Sequence, residues 1–163
     1  MALMQDEHTA ESIMMLSNIM RYVTDDATND LVPLLLEADC IHNYIDLQRL
    51  RLGDKTTVDL SIQGNMEDKK IAPLVLMTFV ENVFKYGTSN NEPSTITIKL
   101  TADENGIYFF CRNKLFPPKN IAGSTGIGIA NTTKRLERLY PQKYTLNIST
   151  ENGQYTVTLS LLS

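Results

Sequence analysis

The most constraining feature of the sequence is residues 71–80, IAPLVLMTFV, which are almost wholly apolar. A helix that is apolar on every side has to be covered by the rest of the protein, so this segment predicts a helix buried under a sheet. The helical pattern continues without a break into Glu81, Asn82 and Lys85 and stops at Gly87. These polar residues either mark the point where the helix leaves the core or belong to a site.

Hydrophobic periodicity divides the chain into a helical part and a mixed part. Apolar residues recur at helical spacing over residues 5–24 and 34–52, which predicts an αα-hairpin with more apolar surface than it can bury alone. The pattern after Gly53 predicts strands at 57–64, 95–100, 106–112, 144–149 and 155–162 and helices at 72–86 and 129–140. We therefore expect a partial hairpin at residues 1–53 and a mixed α/β domain at residues 54–163.

The composition limits the classes of function. The net charge of −4 and the pI of about 5.1 argue against a general nucleic-acid binder, because neutralising phosphates requires a basic surface. Apolar runs reach only about ten residues, too few to span a bilayer. Cys40 and Cys111 lie far apart in apolar segments without metal-ligand spacing, which indicates two reduced core thiols.

The polar end of the core helix has the residue types of a nucleotide site. Asn82, Lys85 and Tyr86 have i, i+3, i+4 spacing and therefore share one helix face. An amide oxygen suits Mg²⁺, and an ammonium group three residues further suits a phosphate oxygen. Taken alone, the same residues also fit a purely structural helix end.

A glycine-bearing loop precedes the helix predicted at 129–140. Its sequence, GSTGIG, contributes Gly123, Gly126 and Gly128. Glycines allow a close backbone approach, and a helix N-terminus offers free N–H groups, so phosphate is the natural occupant. By itself the pattern also fits a tight turn, and it is neither a Rossmann fingerprint nor a P-loop.

Taken together, these elements occur in the order found in GHKL ATPases. ENVFKYG resembles the ENAxKHG motif of sensor histidine kinases of the LytS/YehU type, and GIGIANTTKRLERLYP resembles their GIGLxNxxxRLxxxY. LSNIMRY and YIDLQRLR resemble their LSxLLRY and YLxIQxxR, on the two helices of the dimerisation hairpin. The resemblance implies an α+β fold, a GHKL/Bergerat-type α/β sandwich with a mixed sheet packed on helices, preceded by that hairpin.

The resemblance also implies a role for individual residues, with ATP and Mg²⁺ as the ligands. Asn82 would hold the Mg²⁺ that bridges the phosphates. The implied catalytic residues are Glu81, which would support the ion through water, and Lys85, which would face the phosphates. The other implied nucleotide-binding residues are Tyr86, Asn113, Gly123, Gly126, Gly128, Asn131 and Arg135.

The sequence departs from the family pattern around adenine. Asn113 stands where the aspartate of a D-x-G box is usual, and Leu115 replaces its glycine. An amide oxygen still accepts a hydrogen bond from the adenine amino group, weaker by roughly 1 kcal/mol. Tyr155 stands where a threonine is common. Thr78 stands where hydrolysing relatives carry a glutamate that activates water, so ATP hydrolysis is not the expected reaction.

Histidine kinases of this type phosphorylate a histidine in a PHFLFN-like motif, which this sequence lacks. Its two histidines, His8 and His42, do not have the flanking pattern and are better explained as solvated or packed side chains. We therefore expect the sequence to begin just after the acceptor. Such a fragment would bind nucleotide without phosphorylating itself.

The implied function is transfer of the γ-phosphoryl group of ATP to a histidine and then to a response regulator. The implied partners are that regulator and a second copy, which would bind through the N-terminal helices. The expected location is the cytoplasmic domain of an inner-membrane sensor protein, with any membrane contact made by sequence absent here. Rival interpretations are a non-catalytic pseudokinase that acts by dimerisation, a GHKL-type ATPase and a serine-directed anti-sigma-type kinase.

Overall fold

The computed structural model describes residues 2–116 and 126–163, with side chains from Thr9 onward. The helices are α1 (Ala2–Arg21), which continues into a π-helical turn (Tyr22–Asp26), α2 (Leu34–Arg49), α3 (Val75–Gly87) and α4 (Ile127–Leu139). The strands are β1 (Val32–Pro33), β2 (Thr56–Gly64), β3 (Lys70–Ile71), β4 (Ser94–Asp103), β5 (Gly106–Lys114), β6 (Tyr144–Glu151) and β7 (Gln154–Leu162). No helix among the described residues is long and apolar enough to cross a membrane.

Five strands form one mixed sheet in the order β2-β4-β5-β7-β6. β2 and β4 are parallel because the segment between them, which includes α3, returns the chain to the end of the sheet at which β2 began. The other neighbours are antiparallel. The predicted α+β class, a mixed sheet packed on helices, is confirmed.

Alternation along the central strands decides which side chains face the helices. On β4, Ile96, Ile98 and Leu100 are buried, whereas Thr95 and Lys99 on the opposite face are exposed. β5 follows the same rule and turns Ile107, Phe109, Cys111 and Asn113 inward. The strand period therefore places the polar Asn113 on the core face of the sheet.

The helix α3 lies between the sheet and α2. Phe79 packs against Phe109 of β5 with a centroid separation of 6.2 Å. On the opposite side, Phe84 meets Tyr44 of α2 edge to face at 5.7 Å. The prediction that the apolar segment is covered on all sides is confirmed, since Ile71, Ala72, Val75, Leu76, Met77, Phe79 and Val80 are buried.

Two details differ from the sequence-based prediction. α3 begins at Val75 rather than at residue 72, because Leu74 before it adopts a left-handed conformation with φ of 63°. The chain also forms a two-stranded pairing of β1 with β3, Val32 opposite Ile71, which periodicity did not indicate because each strand has only two residues.

The two N-terminal helices are buried to different degrees. In α2, Leu34, Ile41 and Ile45 are fully buried and belong to the same core as α3. By contrast, α1 packs on α2 and leaves Ile13, Met14, Leu16 and Met20 largely exposed. The domain boundary predicted near residue 53 stays a prediction. In the structure, α2 packs directly on α3 of the mixed part.

Ile45→Ala should lower the free energy of unfolding by about 2–5 kcal/mol, because it opens a cavity where α2 meets the core. Leu35→Ala on the same helix removes a side chain that is 47% exposed and should cost less than about 1 kcal/mol. Urea denaturation measures both. Equal small losses would contradict a core that includes α2.

Candidate functional site

The carboxyl half of α3 presents three of the predicted residues to one region. Asn82 and Tyr86 are half-buried, and Lys85 is exposed. The Lys85 ammonium lies 5.4 Å from the centroid of the Tyr86 ring, close enough for a cation–π contact. The neighbours Val83, Phe84 and Gly87 are buried, so the helix is fixed in the core while this face stays open.

The side chain of Asn113 lies directly under the end of α3. It is fully buried, and its Nδ2 donates a hydrogen bond of 2.9 Å to the carbonyl oxygen of Lys114. A Cβ at position 87 would come within 2.5 Å of the Asn113 Cβ, so only glycine fits at Gly87. The close approach of α3 to β5 therefore depends on this glycine.

The Oδ1 atom of Asn113 is buried without a hydrogen-bond partner among the described residues. Leaving a buried acceptor unpaired costs roughly 1–3 kcal/mol. Such an atom fits a ligand that brings a hydrogen-bond donor. An adenine ring carries a donor of this kind in its amino group, so the residues present fit the predicted nucleotide.

A second buried polar atom lies beside it. Tyr155 on β7 pairs in register with Asn113, and its hydroxyl is also buried without a partner in the described part of the chain. Burial, together with the nearby Cys111 and Tyr86, raises the pKa of Tyr155 to about 12, so the hydroxyl stays protonated. The family resemblance indicated Tyr155 as a position near adenine, and the strand register sets it beside Asn113.

Glu81 faces a different element from Asn82. Successive residues on a helix point about 100° apart. Burial is the main cause of the raised pKa of Cys40 and Tyr44, both on α2, and the charge of Glu81 adds to it, so the Glu81 carboxylate lies near α2. Partial burial raises the pKa of Glu81 itself. The structure does not bring Glu81 onto the face of Asn82, and its catalytic role stays a prediction.

The start of α4 lies beside the middle of α3. Gly126 precedes the helix in a left-handed conformation with φ of 65°. A Cβ at Gly128 would lie 3.5 Å from the Cγ2 of Thr78, so the first turn of α4 packs against α3. The amino end of α4, with its unpaired N–H groups and the exposed Asn131, therefore borders the site. Gly123 lies outside the described residues.

Thr78 and Arg135 have structural partners. The Thr78 hydroxyl donates to the carbonyl oxygen of Leu74 at 3.0 Å and accepts from Thr132 at 3.1 Å. Arg135 donates through Nη1 to the carbonyl oxygen of Pro73 at 2.8 Å. Pro73 precedes the amino end of α3, whereas Asn82 lies towards its carboxyl end, so the structure does not bring Arg135 to the other predicted residues.

Within the described residues, no three His, Cys, Asp or Glu side chains cluster as metal ligands. Asn82 offers an amide oxygen on this face of α3. Mg²⁺ often takes one or two protein ligands and completes its shell with phosphates and water. The donor set present fits that mode of binding.

Known proteins that match this chain are sensor histidine kinases. A family model described as histidine kinase matches residues 1–56. The sensor protein LytS of Bacillus subtilis (strain 168) is 26% identical over 161 residues, 89% of this chain and 27% of LytS. The sensor histidine kinase BtsS of Escherichia coli (strain K12) is 23% identical over 138 residues, 82% of this chain and 24% of BtsS. The chain spans about a quarter of the length of these relatives.

Solved structures share the fold. The catalytic domain of the histidine kinase ThkA, in a nucleotide-free form, matches with a TM-score of 0.59 at 12% identity, over 81% of this chain and 95% of that domain. The Acinetobacter baumannii histidine kinase AdeS matches with a TM-score of 0.55 at 12% identity, over 96% of this chain and 77% of that one. The predicted resemblance to LytS-type sensor histidine kinases is confirmed, and the fold is that of a histidine kinase catalytic domain.

Tyr155→Phe should raise the free energy of unfolding by up to about 1 kcal/mol, because it removes a buried hydroxyl for which the described residues provide no partner. The matched control is Tyr108→Phe, on the opposite face of β5, which should change stability by no more than about 0.5 kcal/mol. Urea denaturation without ligand distinguishes them. A loss of stability in Tyr155→Phe would mean that the hydroxyl is hydrogen-bonded.

Proposed function

We propose that this chain, which is similar to LytS-type sensor histidine kinases over most of its length, is the ATP-binding catalytic part of such a kinase. In the full protein it would transfer the γ-phosphoryl group of ATP to a histidine, from which the group passes to a response regulator. The observation that carries this proposal is the Oδ1 atom of Asn113, which is buried beside the end of α3 and has no hydrogen-bond partner among the described residues.

Asn113 would bind adenine through that oxygen. Its Nδ2 is already bonded to the carbonyl oxygen of Lys114, so the orientation of the amide is fixed and Oδ1 is the atom directed at the ligand. The exocyclic amino group of adenine can donate to it. Guanine has a carbonyl oxygen at the equivalent ring position, and two acceptors facing each other repel. Asn113 would therefore favour ATP over GTP.

The phosphates would lie between α3 and the start of α4. Bound Mg²⁺, held by the amide oxygen of Asn82 and by phosphate oxygens, would neutralise phosphate charge. Lys85 would contribute a positive charge whose position is supported by the Tyr86 ring. The N–H groups at Gly126 and Gly128, with Gly123 and Asn131 as further predicted contacts, would bind phosphate oxygens at the positive end of the α4 dipole.

Catalysis by these residues would consist of positioning and charge neutralisation. The hydroxyl hydrogen of Thr78 is donated to a backbone oxygen, and Thr78 is a weak base, so it would not activate water. Hydrolysis of ATP would therefore be slow compared with phosphoryl transfer. Arg135 would act by holding α4 to the start of α3, through its bond to Pro73.

This chain would bind nucleotide without phosphorylating itself. His42 lies on α2 with its Nδ1 3.0 Å from the Asp46 carboxylate, a local pair within one helix. His8 precedes the described side chains. In the full protein the acceptor histidine would come from another segment. By the same resemblance, this part would act in the cytoplasm within a longer sensor protein that reaches the membrane elsewhere.

Mg-ATP should bind to this chain, and two substitutions should weaken binding in different ways. Asn82→Ala should reduce affinity by more than about tenfold and remove its dependence on Mg²⁺. Asn113→Ala should reduce ATP affinity by about tenfold, which corresponds to the loss of one hydrogen bond, and should abolish the preference for ATP over GTP. Isothermal titration calorimetry with ATP and GTP, with and without EDTA, measures these effects.

The matched control for these titrations is Asn147→Ala, because Asn147 is exposed on the edge strand β6. It should bind as the wild type does. A folded wild-type chain that binds no nucleotide at millimolar concentration would contradict the proposed function. Undiminished binding by Asn113→Ala would contradict the adenine contact alone.

An exposed apolar stripe that runs along α1 into the π-helical turn would join two copies. Ile13, Leu16, Met20 and Val23 follow one another at spacings of three, four and three residues, the pattern of a coiled-coil seam, and all four are exposed. Met20→Lys should therefore shift a dimer to monomer in sedimentation velocity. The control Leu162→Lys, on an equally exposed residue of β7, should not. A wild-type chain that is monomeric at high micromolar concentration would exclude this dimer.

A further inference from the structure

The amino end of α3 is capped by a residue from a different helix. The first N–H groups of any helix have no partner within that helix. In α3 the preceding residue, Leu74, is apolar and has a left-handed backbone, and it provides no side-chain cap. The acceptors come instead from Glu37 of α2.

Both carboxylate oxygens of Glu37 are used. Oε2 accepts from the backbone nitrogen of Leu74 at 2.9 Å and from the hydroxyl of Tyr22. Oε1 accepts from the backbone nitrogens of Leu76 at 3.1 Å and Met77 at 3.3 Å. Glu37 has no exposed surface, so water does not compete for these bonds.

A buried carboxylate with four donors fixes geometry more tightly than an apolar contact. Burial raises the pKa of Glu37, whereas the bonds from Tyr22 and the three amides act to lower it. Apolar surfaces can slide over one another with little change in energy, but displacing this carboxylate would break several directional hydrogen bonds without water to replace them. Glu37 therefore ties α2 to the start of α3, and Tyr22 ties in the end of α1.

The start of α3 is also where α4 is attached. The Tyr140 hydroxyl, just after α4, accepts from the backbone nitrogen of Ala72 at 2.8 Å, and Arg135 of α4 donates to Pro73. Three helices thus meet at residues 72–77. Asn82 follows Met77 by roughly 8 Å along the same rigid helix axis, so rotation or shift at this junction moves the polar face of α3.

We propose that Glu37 is a positioning residue for the nucleotide site, which holds α3 to α2 and to Tyr22 so that the arrangement of the first two helices sets the position of Asn82 and Lys85. This inference rests on the proposed function and deepens it, because it assigns a route by which the hairpin controls nucleotide affinity. The relevant contacts lie at the end of α3 away from the ligand.

The test measures Mg-nucleotide affinity in variants that remain folded. Glu37→Ala removes all four bonds, and Tyr22→Phe removes only the hydroxyl donor. The surface control is Asp39→Asn, an exposed carboxylate two positions along α2. The stability control is Leu159→Ala, a buried residue of β7 that does not contact the amino end of α3 through any of these bonds. Titrations at 15 °C, well below each measured melting temperature, keep loss of folding out of the comparison.

Glu37→Ala should weaken Mg-ATP binding by between about twofold and thirtyfold, and Tyr22→Phe should weaken it less but in the same direction. Both controls should bind as the wild type does, even though Leu159→Ala is destabilised. Hydrogen exchange should also speed up in Glu37→Ala at the amides of residues 82–86, and not in Leu159→Ala.

Two results would overturn the inference. One is that the wild type binds nucleotide and a folded Glu37→Ala chain binds it with the same affinity. The other is an equal loss of affinity in Glu37→Ala and Leu159→Ala, since this would trace the effect to stability alone. If the wild type itself binds no nucleotide, the proposed function fails first, and unchanged hydrogen exchange at residues 82–86 in Glu37→Ala would then refute the anchor as well.

Discussion

The burial of the first half of α3 is the constraint on which the other elements depend. Phe79, Val80 and Val83 have no exposed surface, so the helix requires the sheet on one side and α2 on the other. The return from β2 through α3 to β4 makes those two strands parallel, and α3 packs on the central strands β4 and β5. Because the helix is held on both sides, its polar carboxyl end projects to a fixed place above the ends of β5 and β7.

Among the described residues, the polar groups inside this core either have a hydrogen-bond partner or lie beside the candidate binding site. Glu37 has four donors, and Thr132 is bonded to Thr78. Asn113 and Tyr155 each keep one buried atom without a partner among the described residues, and both residues lie at the same end of the sheet. A polar group that is left unsatisfied lowers stability, so a protein retains such groups at low cost only where a ligand completes them. This contrast separates the structural polar residues from the candidate binding residues.

Much of the fold and part of the site follow from local patterns. Period-two alternation places Asn113 inward beside Cys111, and helical spacing groups Asn82 with Lys85 and Tyr86. The remaining features depend on contacts between residues far apart in the sequence, which no local pattern predicts. The family resemblance indicated Tyr155, but its place beside Asn113 depends on the register of β7 against β5, and Arg135 meets Pro73 across most of the mixed part. Glu37 sits in a helix whose other charged residues are exposed or only partly buried, so sequence gives no sign that its carboxylate is enclosed.

The dependence of α2 on α3 has a consequence for synthesis of the chain. Translation proceeds from the N-terminus, so α1 and α2 are synthesised before α3. Synthesis runs at about 5–20 residues per second. The face of α2 that carries Ile41, Ile45 and Glu37 is therefore not covered by α3 and the sheet for a few seconds. During that interval Glu37 is hydrated and the apolar stripe is open to chaperones or to the exposed face of α1. Docking of the N-terminal hairpin is therefore a late, post-emergence event, even though these helices are made first.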